Sequence, residues 1–235
     1  MTATDYASQG YAALALFDPA TVRAAQGDIA EQVDRLSRAL YWPYAKSSPD
    51  APLGERIDRI WTEERSQAAL LRTAICTDAH RGPRLSALAA TPALRTAGEQ
   101  LCGRPIGDII VRIRANIPAF PEHRHAWHSD VALDDGTDCA RVAVTAWIPL
   151  GDTGPDQGGL EILPGRRAAP LPHRQDRGYA INAETIDELA AAGLAAVQPE
   201  CPAGTVLFLD RFTPHRTLPA GRAARFALVV WMKAA

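Results

Sequence analysis

The stretch Trp127-His128-Ser129-Asp130 decides how this chain is read. In a β-strand the side chains at positions i and i+2 leave the same face, so His128 and Asp130 can converge on one ion while Trp127 and Ser129 point elsewhere. A His-x-Asp pair alone is weak. With 6 histidines and 17 aspartates in 235 residues, chance supplies roughly 0.4 of them. Its setting strengthens it. The turn Phe212-Thr213-Pro214 leads into His215, which opens another β-rich run and can bring a third ligand from a distant part of the chain. Two imidazoles and one carboxylate can cap one triangular face of an iron(II) ion and leave the opposite face open, which is the ligand set of non-haem iron oxygen chemistry. Arg225 begins the run after the turn Pro219-Ala220-Gly221, and its planar fork can grip a metal-bound carboxylate through two parallel hydrogen bonds. The pattern implies an acidic co-substrate. Arg222, within that turn, competes for the same role.

Working outward, the residues after Gly103 form short β-branched runs separated by Gly, Pro and Asp, the texture of an antiparallel sheet. Strands are expected at 108–117, 126–131, 141–150, 160–163, 205–209, 215–218 and 225–232, with a helix at 183–194 after a polar loop at 166–182. Before Gly103 the chain reads as helical. A short strand at 11–17 is followed by Asp18-Pro19, an N-cap and first-turn proline for a helix to about Leu40 whose stripe is Val22, Ile29, Val33, Leu36 and Leu40. Further helices are expected at about 54–76 and 84–101, the latter interrupted near Thr91-Pro92. The proline-, serine- and aromatic-rich segment 41–52 between them could be a lid. Helices first and strands after imply an α+β, mostly β layout with a jelly-roll core.

Composition narrows the function. The hydrophobic share of 47% and charged share of 22% suit one globular domain over residues 1–235, helical over 1–103 and jelly-roll over 104–235. A formal net charge of -2 argues against nucleic acid as a partner. Lys46 and Lys233 are the only lysines, which codon bias explains. Cys76, Cys102, Cys139 and Cys201 are scattered without a C-x-x-C pair, so neither a zinc knuckle nor a disulfide framework is indicated and a reducing cytoplasm is the expected compartment. The apolar run 11–17 is too short for a secretory or membrane segment. The expected partner is therefore a small-molecule substrate, with no nucleic acid and no membrane; oligomeric state is not readable.

With these pieces in place, the chain resembles the phytanoyl-CoA dioxygenase branch of the iron(II)/2-oxoglutarate oxygenases. The matching pieces are Gly10-Tyr11, Asp18-Pro19, Trp127-His128-Ser129-Asp130, Trp147-Ile148-Pro149-Leu150, Gly158-Gly159-Leu160-Glu161-Ile162-Leu163-Pro164-Gly165, Ala203-Gly204-Thr205-Val206, His215 and Arg225. The resemblance implies a double-stranded β-helix (cupin-like) core with helices packed outside, and it implies iron(II), 2-oxoglutarate and O2 as cofactor and co-substrates. It makes His128, Asp130 and His215 the catalytic metal ligands and Arg225 the partner of the distal 2-oxoglutarate carboxylate. Thr217 would assist Arg225, and Asn116 would touch the co-substrate's other end. The family often continues Pro-Gly-Ser-His where this chain has Pro164-Gly165-Arg166-Arg167, so contacts inferred for that loop do not carry over. Halogenating relatives replace the ligating carboxylate, and Asp130 is present, so halogenation is disfavoured.

Other residues remain open. Arg112 and Arg114 share a strand face that either meets solvent or turns Arg114 inward to substrate. Trp127 is a substrate candidate through its place beside the ligands, Gln157 is either a substrate contact or a turn residue, and Trp147 and Trp231 read as core aromatics. His123 and His125 would join Asp130 and His215 in a cupin-like, isomerase-type metal site or in a non-catalytic metal binder, and otherwise border the pocket. His80 and His173 read as solvated. The expected reaction is hydroxylation, cyclisation or desaturation at an unactivated C–H bond of a small polar metabolite or natural-product intermediate, with a polypeptide substrate the less favoured alternative.

Overall fold

The computed structural model describes residues 3–40, 51–63, 73, 75, 82–118, 120–121, 124–154, 157–174, 179–221 and 223–235. Its helical part comprises α1 (Ala3–Gln9), α2 (Pro19–Ala24), α3 (Gln26–Ala39), α4 (Leu53–Glu63), α5 (Pro83–Ala89) and α6 (Pro92–Cys102). The Asp18 cap forms as the sequence suggests: its Oδ2 accepts the Thr21 N–H at 2.8 Å, and Pro19 takes the first turn. The expected single helix to Leu40 is broken at Ala25 into α2 and α3. Helix α5 begins at Gly82, which has no capping side chain, and its cap comes from another helix. The buried Asp28 of α3 accepts the Leu85 N–H and the Arg84 guanidinium, each at 2.9 Å. The interruption at Thr91-Pro92 is real and separates α5 from α6. The candidate lid at 41–52 falls almost wholly outside the described residues, as does most of 64–76. Among the described residues no helix is long and apolar enough to cross a membrane.

The strands are β1 (Tyr11–Ala15), β2 (Ile106–Asn116), β3 (Val142–Pro149), β4 (Leu160–Ile162), β5 (His173–Arg174), β6 (Ala180–Ile181), β7 (Thr205–Asp210), β8 (His215–Thr217) and β9 (Arg225–Ala234), with α7 (Ala183–Ala191) between β6 and β7. Five of them form an antiparallel sheet in the order β1-β7-β3-β9-β2. A smaller layer consists of β4 paired with β8, extended by single bridges from His128 to His215 and from Val197 to Ile162. The chain therefore has the jelly-roll, cupin-like core that the sequence implied.

Both faces of the large sheet are covered, which is why its strands read as continuous apolar runs instead of alternating ones. Val144, Ala146, Ile148, Val206, Phe208, Leu228, Val230 and Met232 face the helices in one core. Trp147, Leu207, Leu209, Ala227 and Val229 face the opposite way and meet Leu160 and Ile162 of the small layer. Helix α6 approaches closely through Gly98, where an added Cβ would lie 2.5 Å from the Met232 sulfur.

One expected strand is not regular. Across 126–131 only His128 makes a ladder pair. Of the neighbouring backbone donors, Ser129 N–H goes to the His173 ring at 3.0 Å and Val131 N–H to the Arg211 carbonyl at 3.1 Å. His173 is thereby a structural acceptor, half-buried, and not the solvated residue that its loop-like surroundings suggested. His80 lies outside the described residues.

Gly158 sets the start of β4. It has φ 71° and an added Cβ would fall 2.3 Å from the Pro219 carbonyl oxygen. Because left-handed geometry and a backbone collision both oppose a side chain there, Gly158→Ala is expected to cost about 2–4 kcal/mol. A denaturant titration that leaves the midpoint unmoved would refute this account of the turn.

Candidate metal centre

The reciprocal bridge between His128 and His215 sets two imidazoles side by side. Each residue's N–H donates to the other's carbonyl, at 3.0 and 2.8 Å, and the ring centroids stand 4.3 Å apart. Asp130, two residues on, turns its carboxylate to the same place, and one ligand atom from each of His128, Asp130 and His215 lies within 4.8 Å of the others. No other such cluster occurs among the described residues.

The rings are oriented by their own backbone. Nδ1 of His128 lies 2.8 Å from the Ala126 carbonyl and Nδ1 of His215 lies 3.1 Å from the Thr213 carbonyl. A carbonyl only accepts, so each Nδ1 carries the proton and each Nε2 keeps a bare lone pair for a ligand bond. Burial, followed by the neighbouring His215, pulls the His128 pKa down to about 3, leaving a neutral imidazole at physiological pH. For Asp130 burial opposes ionisation, but the His215 and His128 rings and the Trp231 N–H outweigh it and hold the carboxyl below its usual range. The triad thus offers imidazole nitrogens and a carboxylate oxygen, the donor types that a divalent ion requires.

The cavity around these ligands is lined by Arg114, Asn116, Thr145, Trp147, Thr217 and Arg225 among others. Alternation puts them there: Arg114 and Asn116 share one face of β2, while Arg225, Val229 and Trp231 share one face of β9. Asn116 pairs with Arg225 in register across β2 and β9, and its Nδ2 donates to the Leu218 carbonyl at 2.7 Å. Thr217 sits on β8 two residues beyond His215. Arg225 is buried, lies 5.1 Å from the Trp147 ring centroid, and has no ion pair among the described residues. Burial alone draws its pKa down to about 10.

Four buried atoms on residues that line this cavity are left without partners: Asp130 Oδ2 at the ligand cluster, Thr145 Oγ1, and Asn116 Oδ1 and Arg225 Nε at the register pair. A bare carboxylate oxygen beside two bare imidazole nitrogens suits a metal ion, and an unpaired buried guanidinium suits a carboxylate. The residues present therefore fit iron(II) and a dicarboxylic keto acid.

Two sequence candidates do not reach this cavity. Trp127 faces away, as its odd position beside His128 dictates, and lies under the Arg216 guanidinium at 4.9 Å. Gln157 is exposed in the turn closed by its own N–H to the Gly154 carbonyl, and it borders a separate cavity with Asp152 and Phe226. Conversely, two aromatics read as core line the cavity. Trp231 donates its indole N–H to Asp130 Oδ1 at 2.7 Å, and Trp147 lines the cavity beneath Arg225. Their shared parity with Arg225 and Thr145 was the available signal. His125 borders the cavity with its ring 5.3 Å from that of His128, and Arg124 lies beside it, but neither is in the ligand cluster. His123 and Arg222 lie outside the described residues.

Trp231→Phe keeps the ring and removes the proton that holds Asp130. Loss of such an outer partner typically lowers metal affinity about 10–100-fold, and that is the expected change in an anaerobic iron(II) competition titration. An unchanged affinity in a folded variant would exclude this role. Asp130→Ala should sharply weaken iron retention, read as metal content per chain in chloride-free buffer.

Solved structures share the whole architecture. A non-haem monooxygenase, ThoJ, superposes with TM-score 0.63 at 19% identity, covering 99% of this chain and 76% of that one. EctD from S. alaskensis, solved with 2-oxoglutarate and 5-hydroxyectoine, gives TM-score 0.63 at 20% identity, covering 97% and 74%. SnoK, a non-haem α-ketoglutarate-dependent carbocyclase from nogalamycin biosynthesis, gives 0.60 at 18%, covering 98% and 83%. At these identities the likeness is one of fold. No curated protein is recognisably similar in sequence. The family model for phytanoyl-CoA dioxygenase matches residues 6–225, and the chain belongs to that family of iron(II)- and 2-oxoglutarate-dependent oxygenases.

Proposed function

We propose that this enzyme hydroxylates, or oxidatively cyclises or desaturates, an unactivated C–H bond of a small polar metabolite or natural-product intermediate, converting 2-oxoglutarate and O2 to succinate and carbon dioxide. The observation that carries the co-substrate assignment is Arg225: a buried guanidinium with an unpaired Nε, opening onto the cavity that holds the three metal ligands. A protein does not bury such a charge without compensation, and a carboxylate supplied by the ligand is the compensation that fits.

His128, Asp130 and His215 would hold iron(II), which when bound supplies the oxygen activation that no side chain can. Arg225 would receive the far carboxylate of 2-oxoglutarate, and Trp147 beneath it fixes the plane of the fork. Thr217 and Asn116 border the same end. Trp231 would hold Asp130 in its ligating rotamer, and Leu160, Leu209 and Val229 keep that end of the cavity dry. Arg114 would face substrate. We read residues 1–235 as one such domain acting in the cytoplasm.

A cupin-like isomerase built on His125 has less support, because the three converging ligand atoms belong to His128, Asp130 and His215. Replacing His125 by Ala should therefore leave iron retention intact, while His128→Ala abolishes it.

Breaking a buried charge pair by removing one partner costs about 2–5 kcal/mol. Arg225→Gln is accordingly expected to weaken anaerobic 2-oxoglutarate binding by roughly 100-fold or more, with metal content unchanged. Binding can be followed by the visible charge-transfer band of the keto-acid chelate. If wild-type protein with iron(II) develops no such band, the co-substrate assignment is wrong. Screening a metabolite library for substrate-dependent succinate formation then tests the reaction itself.

A further inference from the structure

A cavity of about 320 Å³ shares no described lining residue with the one that holds the metal ligands. Three separate segments supply arginines to it: Arg104 just after α6, Arg166 and Arg167 in the loop after β4, and Arg211 in the turn after β7. Asp134 and Asp210 are the acidic side chains that line it among the described residues. Guanidinium groups stay charged at any physiological pH, so four of them against two carboxylates leave an excess of two positive charges. None of these residues belongs to the metal centre.

The excess is localised. Arg166 Nε lies 3.3 Å from Asp210 Oδ2 and Arg211 Nη2 lies 2.6 Å from Asp134 Oδ1, so each carboxylate already has its cation. Arg211 is engaged further, donating to the Ala140 carbonyl at 3.0 Å and lying 4.2 Å from the Phe212 ring centroid. Arg104 and Arg167 have no ion pair with any described residue. Arg167 is half-buried, and its Nη1 donates to the Leu163 and Gly165 carbonyls at 3.2 and 2.7 Å. Burial alone draws its pKa down, with no carboxylate opposing. A guanidinium held away from water without a counter-ion is costly, and an anionic ligand removes that cost. The loop that carries it is fixed in place, because the Gly165 and Arg166 N–H groups donate to the Gln9 and Ser8 carbonyls at 2.8 and 3.0 Å. The donors are therefore positioned before any ligand arrives.

We infer that this cavity binds a phosphate group, held by Arg104 and Arg167 with Arg166 beside them. A doubly charged anion matches the excess of two positive charges, whereas a single carboxylate would leave one guanidinium unpaired. Each planar fork can meet two oxygens, and a phosphate has enough of them to accept from two arginines at once. Arg104 and Arg166 are exposed, so the mouth leaves room for a substituent on the phosphate. Free phosphate and a phosphate monoester therefore share the recognised chemistry. None of these contacts depends on iron or on 2-oxoglutarate.

Full-length protein saturated anaerobically with iron(II) and 2-oxoglutarate, so that Arg225 is occupied, is titrated calorimetrically with inorganic phosphate at constant ionic strength. One saturable site is expected, binding phosphate about tenfold tighter than acetate. Phenyl phosphate is the ester probe: binding at least as tight as inorganic phosphate assigns the site to a monoester, and weaker binding assigns it to the free ion. Arg104→Gln and Arg167→Gln should each weaken phosphate binding about tenfold, with metal content and 2-oxoglutarate affinity unchanged. Because Arg104 is exposed and lacks an ion pair to any described residue, its variant keeps the test decisive even if Arg167→Gln fails to fold. Arg167→Lys keeps the charge without the fork and should restore part of the binding. Absence of saturable phosphate binding, acetate binding just as tightly, or full phosphate binding in Arg104→Gln would overturn the inference. So would competition between phosphate and 2-oxoglutarate, which would place the anion at Arg225 instead.

Discussion

The site depends on one reciprocal pair of backbone hydrogen bonds, between His128 and His215. These residues are far apart in the chain, and the bridge is the sole ladder contact that the His128 segment makes. It brings the imidazoles into register. Orientation then comes from a local device used twice, in which each ring donates Nδ1–H to the carbonyl two residues upstream, Ala126 for one and Thr213 for the other. No further carboxylate is needed to set the tautomers, and Asp130 is the sole acid among the described residues that line the cavity. The His173 ring accepts the neighbouring Ser129 N–H and so ties this segment to β5 as well.

Strand β9 ties this chemistry to the stability of the whole molecule. Its outward row, Phe226, Leu228, Val230 and Met232, packs into the core beneath the helices, and its inward row carries Arg225, Ala227, Val229 and Trp231. Because side chains alternate with a period of two, any shift of the strand that relieved one face would displace the other. Pairing with both β2 and β3 along nearly its full length makes such a shift costly. The two ends of the cavity, arginine and indole, are therefore held at a fixed separation by the hydrophobic core.

The order of helices and strands, the Asp18 cap and the break at Thr91-Pro92 were legible in the sequence because each rests on local chemistry. The convergence of His128, Asp130 and His215 was legible too, since a His-x-Asp pair and a distant histidine opening a strand point to one place. What could not be read was which residues sit across from one another. Trp231 looked like core because an indole in an apolar strand usually is; only the fold shows that its N–H meets Asp130. That Asn116 is the strand partner of Arg225 could not be read either, because this register is set by pairing over more than a hundred residues of intervening chain. Trp127 and Gln157 were drawn in by proximity in sequence, although strand parity and a tight turn carry them away.

The groups left unsatisfied describe what is meant to occupy the cavity. A buried polar atom without a partner costs about 1–3 kcal/mol, and Asp130 Oδ2, Asn116 Oδ1 and Arg225 Nε all sit in this one cavity. Apolar replacements would pack there with less penalty, so the fold alone gives no reason for them. Their signs are ordered along the cavity, an anionic oxygen beside bare nitrogens at one end and a guanidinium donor at the other. A ligand that is cationic where it meets the triad and anionic where it meets Arg225 satisfies both ends at once, which a single metal ion or a single acid could not do. An ion paired with a keto acid matches that polarity, and satisfying these atoms becomes part of the affinity with which the pair is bound.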